Sequence, residues 1–272
     1  MSNLAPDLDA YFARIGYSGP REPSLAVLNA LHAHHVRAIP FENIDVLLGR
    51  GIRIDLPSIE QKLVKDRRGG YCFEQNGLFS AVLRALGFAV TPLIARVRWQ
   101  VPEGTNSPFT HMLVRVETGE GSFLADVGFG SMSLSQPLRL EFDREQSGSL
   151  EPRRLVQRGP EVVQQARLGD TWSDMYQFSL SEALDVDFEM GNWYTSTHPS
   201  SRFMQNIIAA RAGDGLRHTL LNCELSTRYA DGRVERRTLE SQGDLIAALA
   251  SHFDLHFEPG TRISAPFAAL PP

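Results

Sequence analysis

Long apolar runs are missing from this 272-residue chain. None approaches the ~20 residues that cross a bilayer, so a membrane-spanning role is excluded. An excess of basic residues is missing too. Twenty-seven Lys and Arg stand against 32 Asp and Glu, a formal charge of −5, which argues against binding nucleic acid by covering phosphates. The first residues are acidic and carry no charged-then-apolar export pattern, and cysteine is scarce, with only Cys72 and Cys223. Two thiols in a chain of this size fit a reducing compartment, hence a cytoplasmic protein with both thiols free. There is no GxxxxGK[ST] phosphate loop, no GxGxxG after a strand, no internal repeat and no low-complexity tract. What remains is ordinary soluble-protein composition, 42% hydrophobic and 22% charged, long enough for one large domain or two to three small ones.

Hydrophobic periodicity divides the chain into three. Up to Gly87 it is helical: Leu8, Tyr11, Phe12 and Ile15 mark a first helix closed by Gly16, and Ser24 caps a second through Leu25, Leu28, Leu31 and His35. Ile59, Leu63 and Val64 mark a short third. The strongest helix runs from Tyr71 to Leu86, with Leu78, Phe79, Val82, Leu83 and Leu86 in one stripe. After Gly87 the period falls to two. Phe88–Trp99 reads as a strand, residues 101–108 as a loop, and 111–116 with 123–127 as a hairpin. Short β-like runs continue from Pro137 to Phe188. Ser201–Ala212 reads as a short helix, Leu220–Tyr229 and Val234–Leu239 as a second hairpin, and Ser241 caps a last helix. The expected partition is a helical part over 1–87, a β part over 88–198 and an α/β part over 199–272.

Cys72 opens the strongest helix, where unpaired backbone N–H groups and the helix dipole favour a thiolate. Arg67 and Arg68 precede it, and Gly69-Gly70 permits a sharp turn that leaves the sulfur accessible. A thiolate nucleophile is best held by an imidazole, and the imidazole by a carboxylate. His111 and Asp126 lie on opposite arms of the first hairpin, fifteen residues apart, which brings them nearly opposite each other. Burying an Asp in an apolar strand is costly unless it is paired. The reading is therefore a Cys72–His111–Asp126 triad, with hairpin register left open.

Other features read more simply. His32-Ala-His-His35 is expected on a solvated helix face rather than at a metal. Asp185-Val-Asp-Phe-Glu189 reads as an exposed strand face, Cys223 as a packed mid-strand residue, and His198 as structural or at a pocket edge. Gln75 and Asn76, one turn from Cys72, are either supports of the site or solvated amides.

Several segments resemble the arylamine N-acetyltransferase family, in its prokaryotic form: Ile39-Pro-Phe-Glu-Asn-Ile-Asp-Val-Leu-Leu-Gly49, Arg68-Gly-Gly-Tyr-Cys-Phe-Glu-Gln-Asn76, Thr110-His111, Asp126-Val-Gly-Phe-Gly130 and Ser196-Thr-His-Pro-Ser-Ser-Arg-Phe203. They follow the family's order and span most of the chain. The resemblance implies an α+β fold: an N-terminal helical domain, a central antiparallel β-barrel-like domain and a C-terminal α/β lid, around a papain-like cysteine-triad core. It implies acetyl transfer from acetyl-CoA, with no metal, to aromatic amines, hydrazines or N-hydroxyarylamines, and a place in xenobiotic metabolism. Its nucleophile, histidine and aspartate fall on Cys72, His111 and Asp126. It also implies an Arg68–Glu42 ion pair holding the cysteine loop. Phe41, Val97, Phe129 and Phe203 are expected around the aromatic acceptor, and Thr110, Gly128, Phe129 and Gly130 beside the coenzyme. A homo-oligomer is left open, and no nucleic acid or membrane partner is expected. On residue chemistry alone a papain- or transglutaminase-type cysteine hydrolase uses the same three residues, and a catalytically silent scaffold would keep the same fold.

Overall fold

The computed structural model describes residues 5–102, 104–148 and 150–266. The first four residues of the acidic N-terminus and Glu103 of the 101–108 loop lie outside the described residues. The fold is α+β: N-terminal helices, a nearly closed seven-stranded antiparallel barrel, and a C-terminal sheet with helices.

Helix α1 (Leu8–Ile15) begins where Asp7 accepts from the Ala10 N–H, and ends at Gly16, whose left-handed φ of 66° closes the turn. Helix α2 (Leu25–Ala38) is capped by Ser24. Strand β1 (Phe41–Glu42) and helix α3 (Ile44–Leu47) follow, then α4 (Leu56–Glu60), which continues as a π-helical turn over Gln61–Lys65. Helix α5 (Cys72–Ala85) carries the predicted nucleophile at its first position. Its stripe of Leu78, Phe79, Val82 and Leu83 is fully buried, each side chain worth about 1.5–3 kcal/mol on transfer from water.

The barrel is built from β2 (Ala89–Val97), β3 (Phe109–Thr118), β4 (Gly121–Ala125), β5 (Leu138–Arg139), β6 (Arg153–Arg158), β7 (Glu161–Leu168) and β8 (Thr171–Phe178), in the order β5-β4-β3-β2-β8-β7-β6. Bridges from Phe142 to Leu155 and from Gln146 to Arg153 join its two ends. Alternation along β3 and β4 separates two cores. Met112, Val114, Val116, Phe123 and Ala125 pack with the helices, whereas Leu113 and Leu124 join Leu93, Ala95, Leu155, Tyr176 and Phe178 inside the barrel. The second sheet has the order β1-β9-β10-β11-β12, with β9 (Ile208–Gly213), β10 (Leu216–Leu221), β11 (Glu224–Tyr229) and β12 (Val234–Thr238). Helix α8 (Gln242–Phe253), capped by Ser241 as expected, buries Leu245, Leu249 and Phe253 in that sheet's core.

Three local expectations are corrected. The segment expected as a strand around Asp185–Glu189 begins helix α6 (Asp185–Thr197), because Phe188, Gly191, Asn192 and Thr195 bury at helical spacing and Asp187 accepts from the Leu184 N–H. Alternating acids over five residues fit either period. Ser201–Ala212 is helical only over α7 (Arg202–Gln205), where the Asn206 side chain returns to the Arg202 carbonyl; from Ile208 the chain is strand β9. The run Leu220–Tyr229 is broken by a tight turn at Asn222, whose φ is 55°, so Cys223 stands in a turn and not mid-strand.

Candidate active site

At its two glycines the nucleophile loop is held by close approach. A Cβ on Gly69 would stand 2.3 Å from the Pro40 carbonyl, and one on Gly70 would stand 2.6 Å from Glu74 Oε2. Glu74 accepts from the Tyr71 N–H at 3.0 Å and pairs with Lys62 at 2.7 Å, fixing the first turn of α5. The two arginines expected to lend positive potential to Cys72 are otherwise engaged. Arg67 reaches Asp254 at 3.4 Å. Arg68 donates to Glu42 Oε1 at 2.6 Å and to Asp45 at 3.2 Å, and Lys62 joins Asp45 at 3.1 Å. Burial alone would lower the Arg68 pKa, but Glu42 and Asp45 hold it raised. Arg68 and Glu42 thus meet as a pair, with Glu42 fully buried.

Cys72, His111 and Asp126 converge. His111 pairs with Ala95 across β2–β3 and points inward. In the β3–β4 ladder Val114 faces Ala125, so Asp126, one residue past β4, stands across from Leu113 and diagonal to His111 on the same face. The two residues, expected nearly opposite each other, thus stand two residues off direct opposition, and the His111 Nε2–H donates to Asp126 Oδ2 at 2.8 Å. The Cys72 thiol donates to the Thr110 carbonyl at 3.4 Å. Burial would push the His111 imidazole down, but the Asp126 carboxylate and then the Cys72 thiol raise it to about 10. Burial likewise works against the charged form of Asp126, which His111, Asn76 and the Gly128 N–H hold below the usual carboxylate range. The pair is a buried imidazolium and carboxylate, each compensating the other.

Of the two readings left open for Gln75 and Asn76, the geometry is that of buried supports and not of solvated amides. Asn76 is fully buried; its amide donates to Asp126 Oδ1 at 2.9 Å and to the Met112 carbonyl at 2.7 Å, and its oxygen accepts from the Val127 N–H at 3.0 Å. Gln75 donates to the Pro40 and Gly70 carbonyls at 2.8 and 3.1 Å. The histidine cluster expected on a solvated face is corrected: His32 and His35 are fully buried. His32 Nε2 meets the Asp126 carbonyl at 3.1 Å, and His35 joins Tyr11 to Gln75 at 2.8 Å on each side. Burial drives both imidazoles down, to about 4 and about 3, so both stay neutral. Only His34 keeps partial exposure. Tyr176 on β8 lies 4.9 Å, ring to ring, from His111 and 5.0 Å from Phe129. A strand tyrosine among alternating residues carries no signal of that placement.

A cavity of about 410 Å³ opens over the thiol. Cys72, Thr110, His111, Gly128, Phe129 and Gly130 line it, as do Phe41, Val97 and Phe203. Phe203 packs edge-on to Phe41 at 5.8 Å and tilted to Tyr71 at 5.4 Å. A Cβ on Gly128 would meet Cys72 Cα at 2.8 Å, so this loop lies directly on the nucleophile. His198 stacks on Tyr194, a residue of the cavity wall, at 4.6 Å. Among the described residues no group of three or more His, Cys, Asp or Glu gathers as for a metal ion, and no helix is long and apolar enough to cross a membrane. Both cysteines are free.

Comparison with known proteins identifies the family. A family model described as N-acetyltransferase matches residues 24–262. The arylamine N-acetyltransferase of Escherichia coli (strain K12) is 43% identical over 254 residues, 93% of this chain and 90% of that relative. That of Mycobacterium tuberculosis (strain ATCC 25618 / H37Rv) is 40% identical over 257 residues, 93% of this chain and 90% of the relative. The solved structure of the Salmonella typhimurium arylamine N-acetyltransferase superposes with a TM-score of 0.89 at 35% identity, covering 97% of this chain and 96% of that one. The Mycobacterium marinum arylamine N-acetyltransferase, solved in complex with CoA, superposes at 0.88 with 38% identity over 91% of this chain and 92% of that one. The chain belongs to the arylamine N-acetyltransferase family and is an acetyltransferase.

Proposed function

We propose that this enzyme acetylates arylamines, arylhydrazines and related amines by double displacement, through an acetyl group carried on Cys72. The observation that carries the reading is the convergence of the thiol, a carboxylate-bound imidazole and an aromatic-walled cavity at one end of the barrel. In the first half-reaction the proton of Cys72 rests on the His111 imidazolium, and the sulfur attacks the carbonyl carbon of acetyl-CoA as the thiolate. The tetrahedral adduct expels the coenzyme's sulfur, which takes that proton and leaves as the free thiol. One thioester replaces another, a nearly isoenergetic exchange that suits sulfur better than a serine oxygen. In the second half-reaction an amine attacks the acetyl-cysteine, His111 removes its proton, and the Cys72 sulfur departs as the thiolate beside the restored imidazolium.

Asp126 fixes which imidazole nitrogen faces the thiol and stabilises the imidazolium. Asn76 and the Gly128 N–H in turn hold Asp126. Phe41, Val97, Phe129 and Phe203 sandwich the acceptor ring, and the backbone at Thr110, Gly128 and Gly130 borders the thioester arm. The Arg68–Glu42 pair keeps the loop before Cys72 in place.

Intact-mass measurement after mixing with acetyl-CoA alone tests the route. The expected result is one added acetyl group, located on Cys72, absent from Cys72→Ser and discharged by an arylhydrazine. Turnover with no acetylated enzyme would replace the route with direct transfer. Peptide cleavage in place of discharge would point to a cysteine hydrolase.

A further inference from the structure

Helix α6 has two faces of different kinds. Its inner face supports the active site. Phe188 packs against Phe73 with ring centres 6.2 Å apart, and a Cβ on Gly191 would stand 2.8 Å from the Phe109 carbonyl. Asn192 accepts from the Tyr71 hydroxyl and donates to the Ile52 carbonyl at 2.9 Å. The outer face is apolar and bare. Of the seven large hydrophobic side chains exposed among the described residues, four fall within residues 184–193: Leu184 at 63%, Val186 at 52%, Met190 at 69% and Trp193 at 63%. Val186, Met190 and Trp193 recur at spacings of four and three, which sets them in one row along the helix, and Leu184 stands just before its first turn. A lone exposed leucine is ordinary, whereas a contiguous apolar row on a folded protein marks a surface that another molecule covers. The helix is anchored through its inner face, so the row is not there to hold α6 in place.

Charge decides what that molecule is. Glu182, Asp185 and Glu189 are exposed beside the row, and none of them forms an ion pair among the described residues. Between Arg167 and Arg202 the chain holds no Lys or Arg, so nothing on this segment neutralises them. A second copy presenting the same face would set these acids against their own counterparts, and an anionic lipid surface would repel them. An apolar row flanked by acids is complemented by an apolar row flanked by bases. We propose that the outer face of α6 is a docking surface for a cationic amphipathic helix of a partner protein. The partner's apolar residues cover Met190 and Trp193, and its Lys or Arg side chains pair with Glu182, Asp185 and Glu189. Trp193 directly precedes Tyr194, a residue of the wall of the cavity over Cys72, so the partner sits beside the active site without displacing any residue that builds it.

Trp193 is a built-in reporter. The probe is a synthetic leucine–lysine peptide patterned as an amphipathic helix, titrated into the full-length enzyme while tryptophan emission is followed. A saturable blue shift is expected, and it disappears in Trp193→Phe, which leaves Trp99 and Trp172 as they are. Met190→Glu separates docking from plain charge attraction. It adds an acid, which by attraction alone would tighten binding, yet it weakens binding about tenfold or more because it puts a carboxylate into the apolar contact. Glu182→Gln, Asp185→Asn and Glu189→Gln, made together, also weaken binding about tenfold or more and flatten its dependence on salt. Both variants keep the acetyl-transfer rate of the wild type, which shows that α6 is still in place. The assignment is overturned by absence of a saturable shift, by equal binding of the peptide's leucine–glutamate counterpart, or by tighter binding to Met190→Glu. Sedimentation showing a wild-type dimer that Met190→Glu dissociates would give the face to a second copy instead. A blue shift on phosphatidylglycerol vesicles in place of one on the peptide would give it to a lipid surface.

Discussion

His35 offers a measurable link between the buried scaffold and acidity. The ring is fully buried between Tyr11 and Gln75, and its pKa lies at about 3 instead of 6.5. Unfolded chain binds a proton at this position below pH 6.5, while folded chain resists until about 3, so stability falls as the pH drops through that interval. At pH 7.5 almost no unfolded chain is protonated there. At pH 5 the unfolded state is favoured by ~1.5 pH units, or about 2 kcal/mol at 1.36 kcal/mol per unit. His32, at about 4, adds a similar amount over the same range. The informative variant is His35→Gln, which cannot titrate. It loses about 1–3 kcal/mol at pH 7.5 through the broken contacts to Tyr11 and Gln75. Between pH 7.5 and pH 5, however, it loses about 2 kcal/mol less than the wild-type protein. Groups common to both chains, including His111 and Asp126, cancel in that comparison. Urea midpoints at the two pH values supply the measurement; in thermal melts the difference corresponds to ~4–8 °C. Equal losses in the two proteins would refute a buried, neutral His35.

Two further substitutions probe the loop and its anchor. Gly128→Ala places a methyl group 2.8 Å from Cys72 Cα and 2.9 Å from Asn76 Nδ2, so the folded variant acetylates Cys72 about 100-fold more slowly; a rate equal to that of the wild type would contradict the close approach. Glu42→Gln removes one charge from the buried pair while Asp45 stays beside Arg68, and costs about 1–3 kcal/mol in urea unfolding, whereas Glu42→Met combined with Arg68→Met recovers part of the loss. A double variant no more stable than the single one would mean that the pair is not mutually compensating.

The sequence was most readable where one physical signal acted alone. Ser24, Ser241 and Gly16 mark helix ends because capping is local, and the 3.6-residue stripe of α5 has a single burial solution. Cys72 could be singled out from its place at a helix start, and His111 with Asp126 from the spacing of a hairpin. Their diagonal offset could not be foreseen, because it depends on where the turn at Thr118–Gly121 sets the register. Asp185–Glu189 was misread because five residues of alternating acids are too few to separate a period of two from one of 3.6. His32 and His35 look like a solvated pair because sequence does not reveal the hydrogen-bond partners, Asp126 and Gln75 among them, that make their burial affordable. Tyr176 and Asn76 approach the site from a strand and a helix that only the closed barrel brings together.

Phe41 and Glu42 fasten two distant parts of the chain with two residues of backbone. On one side this short strand pairs with Ala210 and Ala209; on the other it meets Gly70, two residues before the thiol, and the Glu42 N–H donates to the Gly70 carbonyl at 3.1 Å. A truncated protein ending at residue 198 would therefore lose more than a cover over the cavity. The rivet between the last sheet and the turn that presents the sulfur would be left with one side unfastened, and Cys72 would lose its aim even with every member of the triad still present.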